Sequence, residues 1–118
     1  MTGKDFFYRA AEISEFSENQ PLRKEINGWH LLLVNEGGSL YAFRNLCPHV
    51  GVRMNTARIK DGALICPNHL AHFDLSTGRC RKSLLRGILD GLPPLTQFAI
   101  RLTDGWVEVA VPRPPRRR

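Results

Sequence analysis

The chain has 118 residues, of which 42% are hydrophobic, and its formal net charge is +6 at pH 7. This size and apolar content predict one domain over residues 1–111, too small to include a second, catalytic domain. No apolar run approaches the length of a membrane span, and residues 1–5 lack the core of a signal peptide. We therefore expect a soluble, cytoplasmic protein that does not bind a membrane.

The positive charge is concentrated in a C-terminal tail, residues 112–118, which is rich in proline and arginine. Four of the six net charges come from this tail, which leaves the rest of the chain at +2; they are Arg113, Arg116, Arg117 and Arg118. A segment of this composition cannot bury apolar surface, so we predict that it is disordered. Because aromatic residues are not interleaved with the basic ones, we expect no nucleic-acid partner.

Apolar residues alternate along the chain rather than recurring at helical spacing, and turns that contain glycine separate the alternating runs. This pattern predicts an all-β sandwich or small barrel with little helix. Asn27-Gly28 supplies the positive φ angles of a type I′ turn, which indicates a hairpin. In chain order, the first half is predicted to contain a strand over 6–9, a short turn over 12–16, hairpin strands over 22–26 and 29–34, and a strand over 39–44 after Glu36-Gly37-Gly38.

Two further hairpins are predicted in the second half, around Asp61-Gly62 and Asp104-Gly105. The first joins strands over 58–60 and 63–66. In the second, apolar residues alternate on both sides of the turn: Phe98, Ile100 and Leu102 before it, and Val107, Val109 and Val111 after it. The region 81–95 is the least regular, and its leucines indicate either a helical turn or a loop packed on the core.

Two short clips of metal-ligand residues lie between the predicted hairpins: Cys47-Pro48-His49 and Cys66-Pro67-Asn68-His69. Each clip pairs one thiolate with one imidazole, and such a Cys₂His₂ set can bind zinc. Zinc clips usually keep two to four residues between paired cysteines and three to five between paired histidines. Here each clip mixes the two residue types and one gap is a single residue, so a zinc-bound structural module is the weaker alternative.

The two clips resemble the Rieske-type [2Fe–2S] site, in which two histidines replace two cysteines on one of the irons. The segment 66–78 is also similar to the second loop of that family and to the Phe-Asp-x-x-Thr-Gly run that follows it. By looser strand and turn pattern, the likeness extends over residues 6–111. It implies an all-β fold, a Rieske-type antiparallel β-sandwich with a small cluster-binding subdomain of two loops within about residues 45–80.

The resemblance implies one [2Fe–2S] cluster per chain and a ligand for each member of the two clips. Cys47 and Cys66 would bind one iron, and His49 and His69 the other. Imidazole donates less charge than thiolate, so the iron bound by the histidines is the one that is reduced. No catalytic residue is implied. Cys80 is expected to be a buried or half-buried thiol without function, and His72 a surface side chain.

Four positions distinguish the chain from the high-potential Rieske proteins of respiratory complexes, which it otherwise resembles. Those proteins have a bridging pair of cysteines where this chain has Val52 and Asn68, and Ser and Tyr hydroxyls where it has Ala71 and Phe73. Missing hydroxyl donors disfavour the reduced cluster. The resemblance is therefore to the low-potential ferredoxin branch, although Leu70 stands where the family usually has glycine.

The family likeness implies a function in electron transport rather than catalysis. The chain is similar to the ferredoxins that pass single electrons from a flavin-dependent reductase to a terminal ring-hydroxylating oxygenase in aromatic hydrocarbon catabolism. The alternative is the small Rieske subunit of an assimilatory nitrite reductase. Electron transfer needs close approach, so we expect partners to dock at the loop tips, with Val50, Val52 and Leu70 as an apolar rim and Arg53 as a steering charge.

Overall fold

The computed structural model describes residues 6–48, 51, 53–67, 71–82 and 94–112, and their regular structure is almost entirely β-strand. A 3₁₀ turn over Ile13–Glu15 is the one helical segment among them. The strands are β1 Phe6–Glu12, β2 Leu22–Ile26, β3 Trp29–Glu36, β4 Ser39–Arg44, β5 Arg58–Lys60, β6 Ala63–Ile65, β7 His72–Asp74, β8 Cys80–Lys82, β9 Gln97–Phe98, β10 Ile100–Thr103 and β11 Trp106–Val111. In this part of the chain no helix is long and apolar enough to cross a membrane.

The strands form three antiparallel sheets. The first has the order β1-β11-β10, the second β2-β3-β4-β9, and the third β5-β6-β7-β8. The first two sheets enclose an apolar cluster, the sandwich core, to which Ala11, Val109 and Leu31 contribute. The predicted antiparallel β-sandwich is therefore confirmed. The third sheet forms a small subdomain: the second clip lies between its strands β6 and β7, and the first lies on the connection from β4 that leads into it.

Strand β3 is buried on both faces, which explains its unbroken apolar run from Leu31 to Val34. Leu31 and Leu33 point into the sandwich core. Leu32 and Val34, on the opposite face, belong to a second apolar cluster, the loop core, together with residues of the third sheet and of both clips. Alternation of side chains along this strand thus makes the second sheet the middle layer of the fold.

The four predicted turns have the expected backbone geometry. Asn27 and Gly28 have φ angles of 52° and 83°. Both residues of each Asp-Gly pair, Asp61-Gly62 and Asp104-Gly105, also have positive φ. Gly37 and Gly38 form the remaining turn, because β3 extends two residues beyond its predicted end. Local sequence therefore determined where each of these hairpins reverses.

The last predicted hairpin needs a correction, because its first arm is divided between two sheets. Phe98 in β9 pairs with Ala42 of the second sheet, whereas Ile100 in β10 pairs with Val109 of the first. Leu102, which the alternation placed on an apolar face, is 53% exposed because β10 lies at a sheet edge. Alternation identifies a strand face but does not indicate whether another layer covers it.

Two strands of the third sheet, β7 and β8, were not predicted. Each has three residues, which is too short for a periodic pattern to be recognised. Strand β6 ends at Ile65, so Cys66 lies just outside the sheet. The helix-or-loop alternative for 81–95 and the disordered tail fall mostly on residues 83–93 and 113–118, which lie outside the described residues. A single domain over 1–111 remains a prediction.

Candidate metal centre

The first clip begins immediately after β4 and is anchored to the neighbouring strand. The Asn45 backbone N–H donates to the His30 carbonyl of β3 at 2.7 Å. Two residues later, Cys47 is fully buried in the loop core. The Gly51 N–H donates to the Cys47 carbonyl at 2.8 Å, and Gly51 has a φ of 70°, which favours glycine. The loop therefore turns back directly after the cysteine.

The side chain of Asn45 closes this loop from within, a role that the sequence interpretation missed. Its Oδ1 accepts the backbone N–H of Met54 at 2.6 Å, and its Nδ2 donates to Asn55 Oδ1 at 2.8 Å. Asn45 is 3% exposed and is the buried polar residue of the described chain. A buried amide with both ends hydrogen-bonded holds its partners at fixed distances. No sequence signal distinguished it, since asparagine is common in loops.

The second clip lies on the connection between β6 and β7 and is closed by one additional backbone bond. Ile65 pairs with His72, and the Cys66 N–H then donates to the Ala71 carbonyl at 2.8 Å. Cys66 and Ala71 are fully buried. The loop is therefore a hairpin loop with its cysteine at the root and His69 further out in sequence.

Both clip cysteines are buried in the same apolar cluster, the loop core, which also contains Met54 and Phe73. A buried thiolate is costly unless a cation compensates it, and a soft metal centre does so. Two such cysteines at the roots of two adjoining loops fit a cluster with two thiolate ligands on one iron. The donor set and its apolar surroundings are therefore suited to an iron–sulfur group.

The two predicted histidine ligands, His49 and His69, lie outside the described residues, as do Val50, Val52, Asn68 and Leu70. Within the described part of the chain, no three or more His, Cys, Asp and Glu side chains lie together. The structure thus brings the two predicted cysteines into one apolar cluster, and the complete ligand set stays a prediction.

Two other residues with ligand-type side chains have modest exposure. His72 is half-buried in β7, so it is less exposed than the surface position expected for it. Cys80 in β8 is also half-buried and packs against the loop core, which agrees with the expected burial of this thiol. His72 begins β7 directly after the second ligand loop, and Cys80 lies further along the chain on β8.

The Phe-Asp-x-x-Thr-Gly run forms a hydrogen-bonded turn behind the second clip. Asp74 Oδ1 accepts the Ser76 hydroxyl at 2.7 Å and the Ser76 N–H at 2.9 Å. These bonds, with the Arg81 guanidinium 3.4 Å from Oδ2, hold the pKa of Asp74 below its ordinary value of 3.8. The carboxylate is therefore ionised at neutral pH and fixes the turn that follows β7.

Gly78 completes this turn at a point where no other residue fits. Its N–H donates to the Asp74 carbonyl at 2.7 Å, and its own carbonyl accepts the Leu95 N–H at 2.8 Å. Its φ is 77°, and a Cβ atom there would lie 2.8 Å from the Leu95 carbonyl oxygen. The glycine of the motif is therefore required by the close approach of the segment that leads into β9.

The turn of the β5–β6 hairpin links the cluster subdomain to the middle sheet. The Gly62 N–H donates to Glu36 Oε2 of β3 at 3.2 Å. Arg81 Nη2 donates to the Asp61 and Gly62 carbonyls at 3.1 and 2.9 Å. Because Arg81 also contacts Asp74, one guanidinium connects two turns of the third sheet. These bonds hold together the third sheet, which begins after the first ligand loop and carries the second.

Comparisons with known proteins agree with this geometry. The Rieske [2Fe-2S] domain family matches residues 6–87. The anthranilate 1,2-dioxygenase ferredoxin subunit of Burkholderia cepacia is 29% identical over 99 residues, covering 84% of this chain and 86% of that protein. The 3-phenylpropionate/cinnamic acid dioxygenase ferredoxin subunit of Escherichia coli is 28% identical over 104 residues, covering 87% and 92%.

Solved structures show the same fold. The ferredoxin of carbazole 1,9a-dioxygenase from Nocardioides aromaticivorans has a TM-score of 0.75 at 22% identity, covering 92% of this chain and 98% of that one. A chain in the complex of reduced oxygenase and oxidized ferredoxin in carbazole 1,9a-dioxygenase has a TM-score of 0.74 at 21% identity, covering 88% and 92%. The expected fold and cofactor are confirmed, and the zinc alternative is not supported. The chain belongs to the Rieske [2Fe–2S] domain family, its relatives include the ferredoxin components of dioxygenase systems, and its cofactor is a [2Fe–2S] cluster.

Proposed function

We propose that this chain carries single electrons from a flavin-dependent ferredoxin reductase to a terminal oxygenase that hydroxylates aromatic rings, and that it has no catalytic site of its own. The observation that carries the proposal is the pair of buried cysteines at the roots of two adjoining loops in a chain of this family. The relatives named above are ferredoxin subunits of dioxygenases, which favours this role over the small subunit of a nitrite reductase.

We assign the cluster to Cys47, His49, Cys66 and His69. Burial of the two cysteines excludes water from their sulfur atoms, and the closed loops hold them at the roots of the clips. The histidines come later in each clip, towards the loop tips in sequence. When bound, the cluster supplies a site that accepts and releases one electron. The protein's own contribution is to fix the ligands and to keep their apolar surroundings dry.

The apolar surroundings of the cysteines also affect the reduction potential of the cluster. Ala71 and Phe73 are fully buried beside Cys66 in the loop core, and neither carries a hydroxyl. A hydrogen bond from a donor stabilises the more negative, reduced cluster, so its absence lowers the potential. We propose a low-potential carrier, which suits delivery of electrons to an oxygenase rather than their removal from a quinol.

Iron and sulfide content tests the ligand assignment. The purified protein should contain about two irons and two sulfides per chain. Cys47→Ser, His49→Ala, Cys66→Ser and His69→Ala should each remove or disrupt the cluster. His72→Ala and Cys80→Ser are matched controls, since they change the same residue types on strands of the third sheet, and both should retain it. Loss of the cluster in a control, or its full retention in a ligand variant, would refute the assignment.

Electron transfer tests the function itself. The cluster-loaded protein, reduced and kept under argon, is mixed in a stopped-flow instrument with a purified terminal oxygenase of the ring-hydroxylating class. Oxidation of the chain with matching reduction of the oxygenase is the expected result. The nitrite reductase alternative would be favoured instead if the chain stayed bound to a nitrite-reducing subunit and reduced no oxygenase.

A further inference from the structure

An open groove of about 480 Å³ runs between the edge of the middle sheet and the first cluster loop. Strand β2 contributes Arg23, Lys24 and Glu25 to its walls, and the loop contributes Arg53 and Asn55. We call this feature the basic groove. Its walls contain three cationic side chains and one carboxylate, so its field is positive at neutral pH.

Two of the three cations have no ion-pair partner among the described residues. Lys24 Nζ lies 2.8 Å from Glu15 Oε1, so that charge is largely neutralised. Arg23 and Arg53 are exposed, and no carboxylate of the described residues pairs with either. The groove carboxylate, Glu25, lies instead 4.0 Å from His30 Nδ1. The available positive charge therefore comes from two arginines, one on strand β2 and one on the first cluster loop.

The basic groove is joined directly to the first ligand loop. His30, which lines it, accepts the Asn45 N–H, and Asn45 is two residues before Cys47 in sequence. Through its side chain, Asn45 also holds Met54 and Asn55, the residues that follow Arg53. An acidic surface seated between the arginines would therefore contact the loop that carries Cys47 and His49.

We propose that the basic groove is a docking surface for an acidic patch on the terminal oxygenase, with Arg23 and Arg53 as its two recognition charges. The inference rests on the proposed function and specifies the chemistry of the partner. Arginine forms bidentate hydrogen bonds with carboxylates. Complementary charges on two redox partners orient their weak complex and raise its association rate. The groove adjoins the loop that carries Cys47, so a partner docked there would lie next to that loop.

Two simpler explanations account for only part of the groove. Charged residues on an edge strand prevent pairing with other chains, which could explain Arg23 on β2. Arg53, however, lies in a loop and not on an edge strand, so this explanation does not apply to it. A nucleic-acid site would need aromatic rings between the cations, and the lining contains no Phe, Tyr or Trp. A carboxylate-rich protein surface fits both arginines.

The test uses cluster-loaded Arg23→Glu and Arg53→Ala variants, with Arg79→Glu as the matched control. Arg79 is likewise exposed and unpaired among the described residues, but it lies in the turn before β8, outside the groove. The second-order rate of electron transfer to a purified ring-hydroxylating oxygenase is measured at several salt concentrations. At low salt, Arg23→Glu should slow transfer about tenfold and Arg53→Ala about threefold, and both should flatten the salt dependence.

The readouts separate this proposal from the proposed function. Visible spectra and midpoint potentials should be unchanged in Arg23→Glu, so a slower rate reports docking. If the wild type transfers electrons no faster than the groove variants do, the docking proposal is refuted and the proposed function stands. An equal loss in Arg79→Glu would also overturn it, since any surface charge would then matter. If the substitutions slow only the reduction of this chain by its reductase, the oxygenase is the wrong partner for the groove. No transfer by the wild type would overturn both proposals.

Discussion

The side-chain oxygen of Asn45 accepts the backbone N–H of Met54 across the first ligand loop, with 2.6 Å between the two atoms. Both residues are buried, and the loop between them contains Cys47 and His49. Geometry at the metal centre therefore depends on a residue that is not a ligand. Partners of this kind, one step removed from the metal, orient ligand loops in many metalloproteins.

Asn45→Ala should weaken the first loop and shorten the lifetime of the cluster. The change leaves the buried Met54 N–H without an acceptor, which costs about 1–3 kcal/mol. Asn55→Ala is the control: Asn55 is exposed, and its loss removes one neutral hydrogen bond worth about 0.5–1.5 kcal/mol. Denaturant unfolding of the cluster-loaded protein and the decay of its visible absorbance measure the two effects. Equal decay in both variants would contradict a specific role for Asn45.

Introducing hydroxyl donors beside Cys66 should raise the reduction potential. We expect a native midpoint on the order of −150 mV, at the low end of the Rieske range. Ala71→Ser and Phe73→Tyr should each raise it, because a donor stabilises the reduced cluster more than the oxidised one. Ala42→Ser, equally buried but in the sandwich core, is the control and should leave it unchanged. Protein-film voltammetry gives the values, and a native midpoint above about +100 mV would refute the low-potential assignment.

Gly78→Ala should destabilise the fold more than Gly37→Ala. Both glycines have positive φ, 77° and 60°, so each substitution incurs about 1–2 kcal/mol of backbone strain. Only at Gly78 would the new Cβ also meet backbone, the Leu95 carbonyl oxygen at 2.8 Å, whereas nothing lies within 4 Å at Gly37. The additional cost should be about 1–3 kcal/mol, as in other overpacked sites. Unfolding free energies of the two variants should differ accordingly, and equal values would argue against the close approach.

Asp74→Asn should lower stability at neutral pH and lose this effect in acid. Hydrogen bonds from Ser76 hold the pKa of Asp74 below 3.8, so the carboxylate stabilises the fold above that value. The contribution disappears as the pH falls through the lower, folded-state pKa. Thermal midpoints from about pH 6 to about pH 3 should therefore converge for wild type and variant. Asp104→Asn, the same change in the exposed turn between β10 and β11, is the control, and at neutral pH it should lower the thermal midpoint less than Asp74→Asn does.

The sequence by itself determined the features that depend on neighbouring residues. Asn27-Gly28 and Asp61-Gly62 identify turns because few residue types adopt positive φ readily, and this preference is local. The two Cys-Pro clips and the run after the second one indicated the family and its cofactor by resemblance, and these motifs are readable because each lies in one short continuous segment. Strand β3 was also recognisable as a strand from its composition.

The tertiary structure decided what depends on residues distant in sequence. Burial of β3 on both faces required a third sheet, formed partly by strands too short to show a period. The division of the final hairpin at Ala99 depended on which sheet each half could reach. The hydrogen bond from Met54 to Asn45 joins residues nine positions apart, and Arg23 and Arg53 line one groove because folding brought β2 beside the first ligand loop. Such contacts are set by packing between layers, which no local propensity encodes.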